Sequence, residues 1–273
     1  MKICRFQPLH IPIEQVRRRG EELPSDSVEP SWGVVAGENI REVSGSLTGE
    51  WKLSGRTWPL AEVQLVAPIE PGKIVCVGRN YREHAAELGN PVPTEPLIFL
   101  KPPSSVIGPG EPIVLPAISE RVDHEGELAV VIGRQCAHLG EADDVRPFIF
   151  GYTCLNDVTA RDLQRKDGQF ARAKGFDTFC PMGPVIETEL DLAGVSVETF
   201  VNGQRRQAGR TSQMIFPVDH LIRWVSRMMT LVPGDVIATG SPAGVGPLRA
   251  GDVVEVAVGG VGTLRNPVMA ASL

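Results

Sequence analysis

Two glutamates separated by one residue precede an apolar run in the middle of the chain. Glu125 and Glu127 belong to the segment R-V-D-H-E-G-E-L-A-V-V-I-G, residues 121–133. Residues 128–132 predict a buried β-strand, and extending that strand backwards places both glutamates on one face, with Cα atoms about 6.5–7 Å apart. Two carboxylates at that separation repel each other by about 2–2.5 kcal/mol at an effective dielectric constant of about 20. The pair therefore indicates either a bound divalent cation or two solvated glutamates at the mouth of a strand.

A third carboxylate, Asp157, follows the apolar run over residues 148–155. Three carboxylates at strand ends suit Mg²⁺ or Mn²⁺, with coordination positions left open for water or substrate. Zinc fits poorly, because neither cysteine sulfur nor paired histidines accompany the acids. We therefore favour the cation and predict one Mg²⁺ or Mn²⁺ per chain at these three residues.

A histidine and a glutamate three residues apart form a second group. Residues 80–83 (N-Y-R-E) have the form of a capping box and predict a helix over residues 81–88, which ends at G-N-P. His84 and Glu87 are then neighbours on that helix, and the carboxylate could orient the imidazole as a general base. The spacing alone favours an ordinary surface pair, since such pairs are common and contribute little.

Two lysines stand in segments that could face a site. Lys101 follows the apolar residues 97–100, and it could lie at the end of a strand or be solvated. Lys174 stands among glycine and small residues, where it could bind a substrate carboxylate as a compact point charge. Taken by itself, the segment around Lys174 favours a basic loop.

Composition excludes several classes of protein. The net charge of −6 argues against nucleic acid as a general partner, and no apolar run approaches the length of a bilayer span. The first residues lack the apolar core of a signal peptide. The five scattered cysteines indicate reduced thiols in a cytoplasmic protein. The glycine-rich residues 241–246 lack P-loop spacing and open no helix, so we reject nucleotide binding.

The elements that must position these residues are mostly strands. Glycine (29) and proline (23) are plentiful and few segments have a helical period, so we predict a β-dominated α+β fold. We predict helices over residues 159–166 and 219–229, the second packing against the core, and a type I′ hairpin at Asn202-Gly203.

The domain organisation follows from a change of character near residue 67. Residues 1–67 predict a small β-rich N-terminal domain, in which residues 16–22 suggest a short exposed helix. The boundary is marked by Pro68 and Pro71-Gly72, and residues 68–273 form the larger domain that carries the chemical groups.

Seven motifs in series resemble the fumarylacetoacetate hydrolase family over roughly residues 70–270. They are G-R-N-Y with His84 and Glu87, F-L-K-P at 99–102, D-H-E-G-E-L at 123–128, N-D at 156–157, A-R-D-L-Q at 160–164, A-K-G-F-D-T at 173–178 and T-G-S-P-A-G-V-G at 239–246. No single motif is decisive, but their common order is specific. One departure is His124, where the family more often has tyrosine or phenylalanine.

The resemblance implies a mixed β-sandwich or roll-like catalytic domain, usually in a homodimer, with a Mg²⁺ or Mn²⁺ site. By this resemblance, the metal ligands would be Glu125, Glu127 and Asp157. The general base would be His84, oriented by Glu87. Substrate oxygens or an oxyanion would be contacted by Lys174 and Gln164, the substrate carboxylate would lie near Arg161, and Thr239 would form the floor of the pocket.

The same resemblance implies an enzyme acting on a small 2-oxo or 1,3-diketo carboxylate through a metal-stabilised enolate. Our leading interpretation is hydrolytic C–C cleavage of an acylpyruvate. The alternatives are an oxaloacetate decarboxylase or tautomerase, or the 2-hydroxyhepta-2,4-diene-1,7-dioate isomerase of aromatic catabolism. A non-catalytic metal-binding scaffold is a further alternative, against which His84, Glu87 and Lys174 argue.

Overall fold

The structure of the protein is a computed structural model that describes residues 1–9, 29–46, 49–87 and 89–271. The helix predicted over residues 16–22 lies outside these ranges. No helix within them is long and apolar enough to cross a membrane. The fold is β-dominated, as predicted.

The described residues form twenty strands and four α-helices. The first ten strands are β1 (Lys2–Pro8), β2 (Ser31–Ala36), β3 (Asn39–Gly45), β4 (Trp51–Pro59), β5 (Val63–Val66), β6 (Ile74–Gly78), β7 (Leu97–Lys101), β8 (Val106–Ile107), β9 (Ile113–Leu115) and β10 (Val122–His124). The others are β11 (Gly126–Ile132), β12 (Ile149–Asn156), β13 (Thr159–Ala160), β14 (Cys180–Glu187), β15 (Ser196–Val201), β16 (Gln204–Arg210), β17 (Val236–Ala238), β18 (Gly246–Pro247), β19 (Val253–Val258) and β20 (Gly262–Ala270). The helices are α1 (Arg82–Glu87), α2 (Arg161–Asp167), α3 (Ala171–Lys174) and α4 (Val218–Met228).

One large sheet contains most of the strands. Its order is β4-β3-β2-β1-β14-β12-β11-β17-β6-β7, with β5 paired to β1 and β8 paired to β14. The N-terminal strands join this sheet through antiparallel pairing of β1 with β14, where Lys2 lies opposite Glu187. The division into domains near residue 67 stays a prediction, and the large sheet runs across it.

A second, five-stranded sheet with the order β16-β15-β19-β20-β9 packs against the large one. The core between them contains alternate residues of β11, namely Leu128, Val130 and Ile132, together with residues of β15, β19 and β20. The intervening Ala129 and Val131 are buried on the opposite face. Burial on both faces is the reason that this strand is an unbroken apolar run rather than an alternating one.

Two local sequence signals, a turn and a helix, agree with the structure. Asn202 and Gly203 both have positive φ, 52° and 74°, as the predicted type I′ turn requires. Helix α4 lies within one residue of its predicted ends and packs its apolar side on the core. Met228, at the end of α4, is 52% exposed and takes no part in this packing.

Candidate active site

Three carboxylates meet where β11 begins and β12 ends. The two strands are antiparallel with Gly126 opposite Asn156, which brings Glu125 and Glu127 to the same end of the sheet as Asp157. One oxygen from each carboxylate lies within 4.8 Å of the others, and all three side chains are buried. The alternative of solvated glutamates at a strand mouth is therefore wrong.

The strand predicted to run back through Glu125 is interrupted there. Strand β10 leaves the large sheet and pairs with β13 and β18 in a three-stranded sheet, so Glu125 stands between two strands. Its backbone remains satisfied, because its N–H donates to Asn156 Oδ1 (2.9 Å) and its carbonyl accepts from the Asp157 N–H (2.8 Å). The prediction of one continuous strand is wrong, although both carboxylates still reach the site.

Two buried lysines bind the acids. Lys174, at the end of α3, is 3% exposed, and its Nζ donates to Glu125 Oε2 (2.9 Å), Asp157 Oδ2 (2.5 Å) and Thr159 Oγ1 (2.8 Å). Lys101, at the end of β7, is 1% exposed and donates to Asp157 Oδ1 at 2.7 Å. Neither lysine is solvated. The alternatives of a solvated Lys101 and of a basic loop around Lys174 are therefore wrong.

Arg161 is held by acids in the structure. Its Nε donates to Asp123 Oδ2 at 2.9 Å, and its guanidinium also pairs with Glu125. The remaining nitrogen donates to Gln164 Oε1 at 3.0 Å. The predicted place of Arg161 near a substrate carboxylate is untested, and three of its five N–H groups already donate to protein groups. Asp123 belongs to the motif D-H-E-G-E-L, but the sequence assigns it no role, and its two-residue spacing from Glu125 is the signal that could have indicated one.

The glutamates have opposite electrostatic environments. Burial alone would raise the pKa of Glu125, but Arg161 and Lys174 hold that pKa below its ordinary value. Burial, followed by the charges of Asp157 and Glu125, raises the pKa of Glu127 well above its ordinary value. Glu127 accepts the Gly240 N–H at 2.8 Å, and no ion pair joins it to a lysine or arginine within the described part of the chain.

The lack of a positively charged partner for Glu127 among the described residues, beside the well-paired Glu125, is the observation that indicates a metal site. A divalent cation bound by Glu125, Glu127 and Asp157 would supply the positive charge that Glu127 lacks, and all the donors are the oxygens that Mg²⁺ and Mn²⁺ prefer. Burial opposes the charged form of Lys174, yet Asp157 and Glu125 raise its pKa above the ordinary lysine value. Lys174 is therefore a fixed positive charge rather than a proton acceptor.

His84 faces the acids from helix α1. It is 4% exposed, its Nδ1 lies 3.4 Å from Glu87 Oε2, and its Nε2 lies 4.0 Å from Glu125 Oε1. Glu87 is held in turn by the Gly244 N–H, 3.1 Å from each carboxylate oxygen. The burial of His84 therefore excludes an ordinary pair of two surface residues.

Asn80 does not cap helix α1 as predicted. Its side chain donates to Thr239 O (2.7 Å) and Phe216 O (3.0 Å) and accepts from the Phe216 N–H (2.8 Å). The amide is fully buried and joins three loops, because partners distant in sequence compete successfully for its hydrogen bonds.

The site opens into a pocket of ≈ 390 Å³. Its lining includes the three acids together with His84, Arg161, Gln164, Lys174 and two further arginines, Arg79 and Arg165. Thr239 is absent from this lining; its hydroxyl donates to Leu128 O at 2.8 Å, and Ser241 lines the pocket nearby. The His124 side chain contacts Gln207, with 3.0 Å between His124 Nδ1 and Gln207 Oε1.

Family models match nearly the whole chain. Residues 73–269 match the model described as fumarylacetoacetate (FAA) hydrolase C-terminal, and residues 1–68 match one described as Rv2993c-like, N-terminal. The chain belongs to the fumarylacetoacetate hydrolase family. Enzymes of this family commonly use a divalent metal, and the acidic triad could bind one.

Individual members of the fumarylacetoacetate hydrolase family are similar over most of their length. Protein Rv2993c of Mycobacterium tuberculosis is 50% identical over 246 residues, which cover 89% of this chain and 92% of the relative. Oxaloacetate tautomerase YisK of Bacillus subtilis is 43% identical over 232 residues, 80% of this chain and 77% of the relative. The crystal structure of 2-hydroxyhepta-2,4-diene-1,7-dioate isomerase from Mycobacterium marinum has a TM-score of 0.86 at 42% identity and covers both chains fully. The predicted family and fold class are confirmed.

Proposed function

We propose that this protein is an isomerising enzyme that interconverts the keto and enol forms of a small 2-oxo carboxylate such as oxaloacetate, with Mg²⁺ or Mn²⁺ held by Glu125, Glu127 and Asp157. The observation that carries the proposal is His84, a buried imidazole oriented by Glu87 and directed at the acidic triad in one pocket. Keto–enol exchange needs a positioned group that takes up and returns a proton, and imidazole suits that task near neutral pH.

The names of similar proteins support the isomerising alternative better than the hydrolytic interpretation that we favoured from the sequence. YisK is an oxaloacetate tautomerase, and the M. marinum protein is an isomerase of a dienedioate. Both activities pass through an enol of a 2-oxo acid.

Each residue of the chain has a distinct part in this proposal. His84 removes the proton from the carbon next to the keto group and returns it to that carbon or to the enol oxygen, while Glu87 fixes the ring. Lys174 contributes a permanent positive charge beside the developing enolate. Gln164 lines the pocket, and its amide nitrogen makes no hydrogen bond to any residue that the structure describes, so it is free to donate to a substrate oxygen. When bound, a divalent cation would act as a Lewis acid that stabilises the enolate charge.

The C–C hydrolysis of an acylpyruvate is the second candidate. The oriented His84–Glu87 pair favours it, because the same imidazole could take a proton from water instead of from carbon. The two candidates therefore differ in the group that gives up its proton.

The experiment compares oxaloacetate and acetylpyruvate with Mg²⁺, with Mn²⁺ and with EDTA. Freshly dissolved enol-oxaloacetate is followed by its ultraviolet absorbance, and pyruvate is assayed to detect decarboxylation. We expect metal-dependent enol loss well above the uncatalysed rate without matching pyruvate release. Metal-dependent cleavage of acetylpyruvate with no effect on enol-oxaloacetate would replace the isomerase by the hydrolase. Pyruvate release in step with enol loss would replace it by the decarboxylase.

A further inference from the structure

The four cations that line the pocket fall into two classes. Arg161 and Lys174 are buried, and each forms ion pairs with two acids. Arg79 and Arg165 line the same pocket, yet the guanidinium of neither makes an ion pair or hydrogen bond with any residue in the described ranges. The unpaired positive charge of the pocket therefore belongs to these two arginines.

Arg165 is positioned by helix α2. It stands four residues after Arg161 and one after Gln164, so all three side chains lie on the pocket side of the helix. Arg161 is buried and Arg165 is exposed, which places Arg165 farther from the acids and nearer to solvent. The next residue, Lys166, is also exposed but does not line the pocket.

Arg79 is positioned by an unusual backbone. It follows β6 with φ of +60°, a left-handed conformation that residues with side chains rarely adopt. The buried amide of Asn80 holds this loop by hydrogen bonds to Phe216 and Thr239. Such conformations persist where the surrounding structure enforces them, often at functional sites.

We propose that Arg79 and Arg165 bind the second carboxylate of the substrate, so that the site selects 2-oxo dicarboxylates over 2-oxo monocarboxylates. The inference deepens the proposed function and rests on it. Guanidinium groups pair with carboxylates through two parallel hydrogen bonds, and unpaired ones are available to a ligand without breaking protein contacts. Arg161, for which the family resemblance implies a place near a substrate carboxylate, is buried and already donates from each of its three nitrogens to Asp123, Glu125 and Gln164, so fewer of its N–H groups remain for a ligand.

The test measures binding and therefore does not need turnover. Malate and 2-hydroxybutyrate differ only in that a methyl group replaces the second carboxylate, and neither can enolise. Their dissociation constants are determined by calorimetry with Mg²⁺ for the wild type, Arg165→Gln, Arg79→Asn and the control Lys166→Gln. Asparagine tolerates positive φ, so Arg79→Asn removes the charge and keeps the loop conformation.

We expect the wild type to bind malate more tightly than 2-hydroxybutyrate. Arg165→Gln and Arg79→Asn should each weaken malate binding by about tenfold or more and change 2-hydroxybutyrate binding by less than about twofold, because one charge-assisted hydrogen-bonded pair is lost. Lys166→Gln should match the wild type for both acids. Equal weakening of the binding of both acids, an unchanged malate dissociation constant in either arginine variant, or no preference for malate in the wild type would overturn the inference.

Turnover measurements distinguish a failure of the carboxylate site from a failure of the proposed isomerase function. With oxaloacetate and 2-oxobutyrate as the corresponding enolisable pair, the two arginine variants should lose kcat/KM for oxaloacetate only. If oxaloacetate is not turned over by the wild type while malate binding still depends on both arginines, the isomerase proposal fails and the carboxylate site stands. If oxaloacetate is turned over equally well by both arginine variants, the carboxylate site fails and the isomerase proposal stands.

Discussion

At the scale of single residues, the buried charges of the site are paired unequally. Glu125 has two cationic partners, Arg161 and Lys174, and Asp157 has two lysines. Glu127 has a backbone N–H as its hydrogen-bond donor. Substitution of Glu125 or Glu127 should therefore affect the stability of the protein differently.

His84→Ala should lower kcat by about 10²–10⁴ and leave metal binding intact, because His84 is not one of the three candidate ligands and its Nε2 lies 4.0 Å from Glu125 Oε1. The measurement is enol-oxaloacetate turnover together with Mn²⁺ titration by calorimetry. Glu87→Gln is the matched control and should lose less activity, since it leaves the imidazole in place. Full activity of the alanine variant would refute the assignment of the base.

Glu125→Gln and Glu127→Gln should both lose metal affinity but differ in stability without metal. Removing the charge of Glu125 leaves Arg161 and Lys174 without a buried partner, which costs about 3–5 kcal/mol in the free energy of unfolding. Glu127→Gln imitates the protonated acid and keeps an oxygen for the Gly240 N–H, so it should be neutral or stabilising. Urea unfolding in EDTA and Mn²⁺ calorimetry measure the two effects. Unchanged Mn²⁺ binding by either variant would remove that glutamate from the ligand set.

The stability of the metal-free protein should depend on pH through Glu127. Burial raises the pKa of Glu127 in the folded state, so its contribution to stability is fully present below the pKa of an unfolded glutamate and is lost as pH rises through the folded-state pKa. The advantage of Glu127→Gln over the wild type in EDTA should therefore grow with pH. A pH-independent difference between the two unfolding free energies would contradict this electrostatic account.

At the scale of elements, the site depends on loops fastened to the ends of strands. Strand β11 provides Glu127, the break before it provides Glu125, and α1, α2 and α3 bring His84, Arg161 and Lys174. The short helices α1 and α3 bury few residues of their own, so their positions depend on hydrogen bonds from neighbouring loops.

Asn80→Ala should destabilise the protein by about 3 kcal/mol and lower kcat. It removes three hydrogen bonds of a fully buried amide and frees the loop that leads to His84. Thermal unfolding and turnover are measured against Asn39→Ala, an exposed asparagine in the β2–β3 hairpin that should change neither. A loss of stability no larger than that of the control would show that the loops keep their positions without the hydrogen bonds of the Asn80 amide.

At the scale of the whole molecule, the large sheet joins the N-terminal strands to the strands of the site. All five cysteines are free and buried within this assembly. The homodimer, the cytoplasmic location and the expectation that neither nucleic acid nor membrane is a partner stay predictions.

The thiols should be unreactive until the protein unfolds. Burial raises the pKa of Cys4, Cys154 and Cys180 to about 12, so the thiolate fraction at pH 8 is about a thousandfold lower than for a free thiol. Titration with Ellman's reagent should find no fast thiol in the native state and five in urea. A rapidly reacting thiol without urea would reveal local opening of the core.

Much of the candidate site was predictable from the sequence, because its signals are local. The apolar run of β11, the two-residue spacing of its glutamates and the three-residue spacing of His84 and Glu87 each describe faces of one element. The Asn202-Gly203 turn is local in the same way, since positive φ is a property of the residues themselves.

Only the tertiary structure decided which of these groups meet and which are already paired. Lys101 and Asp157 are 56 residues apart, and Arg161 reaches Asp123 across 38 residues. The break at Glu125 arises because β10 pairs with strands outside the large sheet, and Asn80 loses its capping role to partners more than 130 residues away. Periodicity along the chain determines which face of an element is buried, whereas the register between distant elements determines which charges neutralise one another and which, like Arg79 and Arg165, remain available.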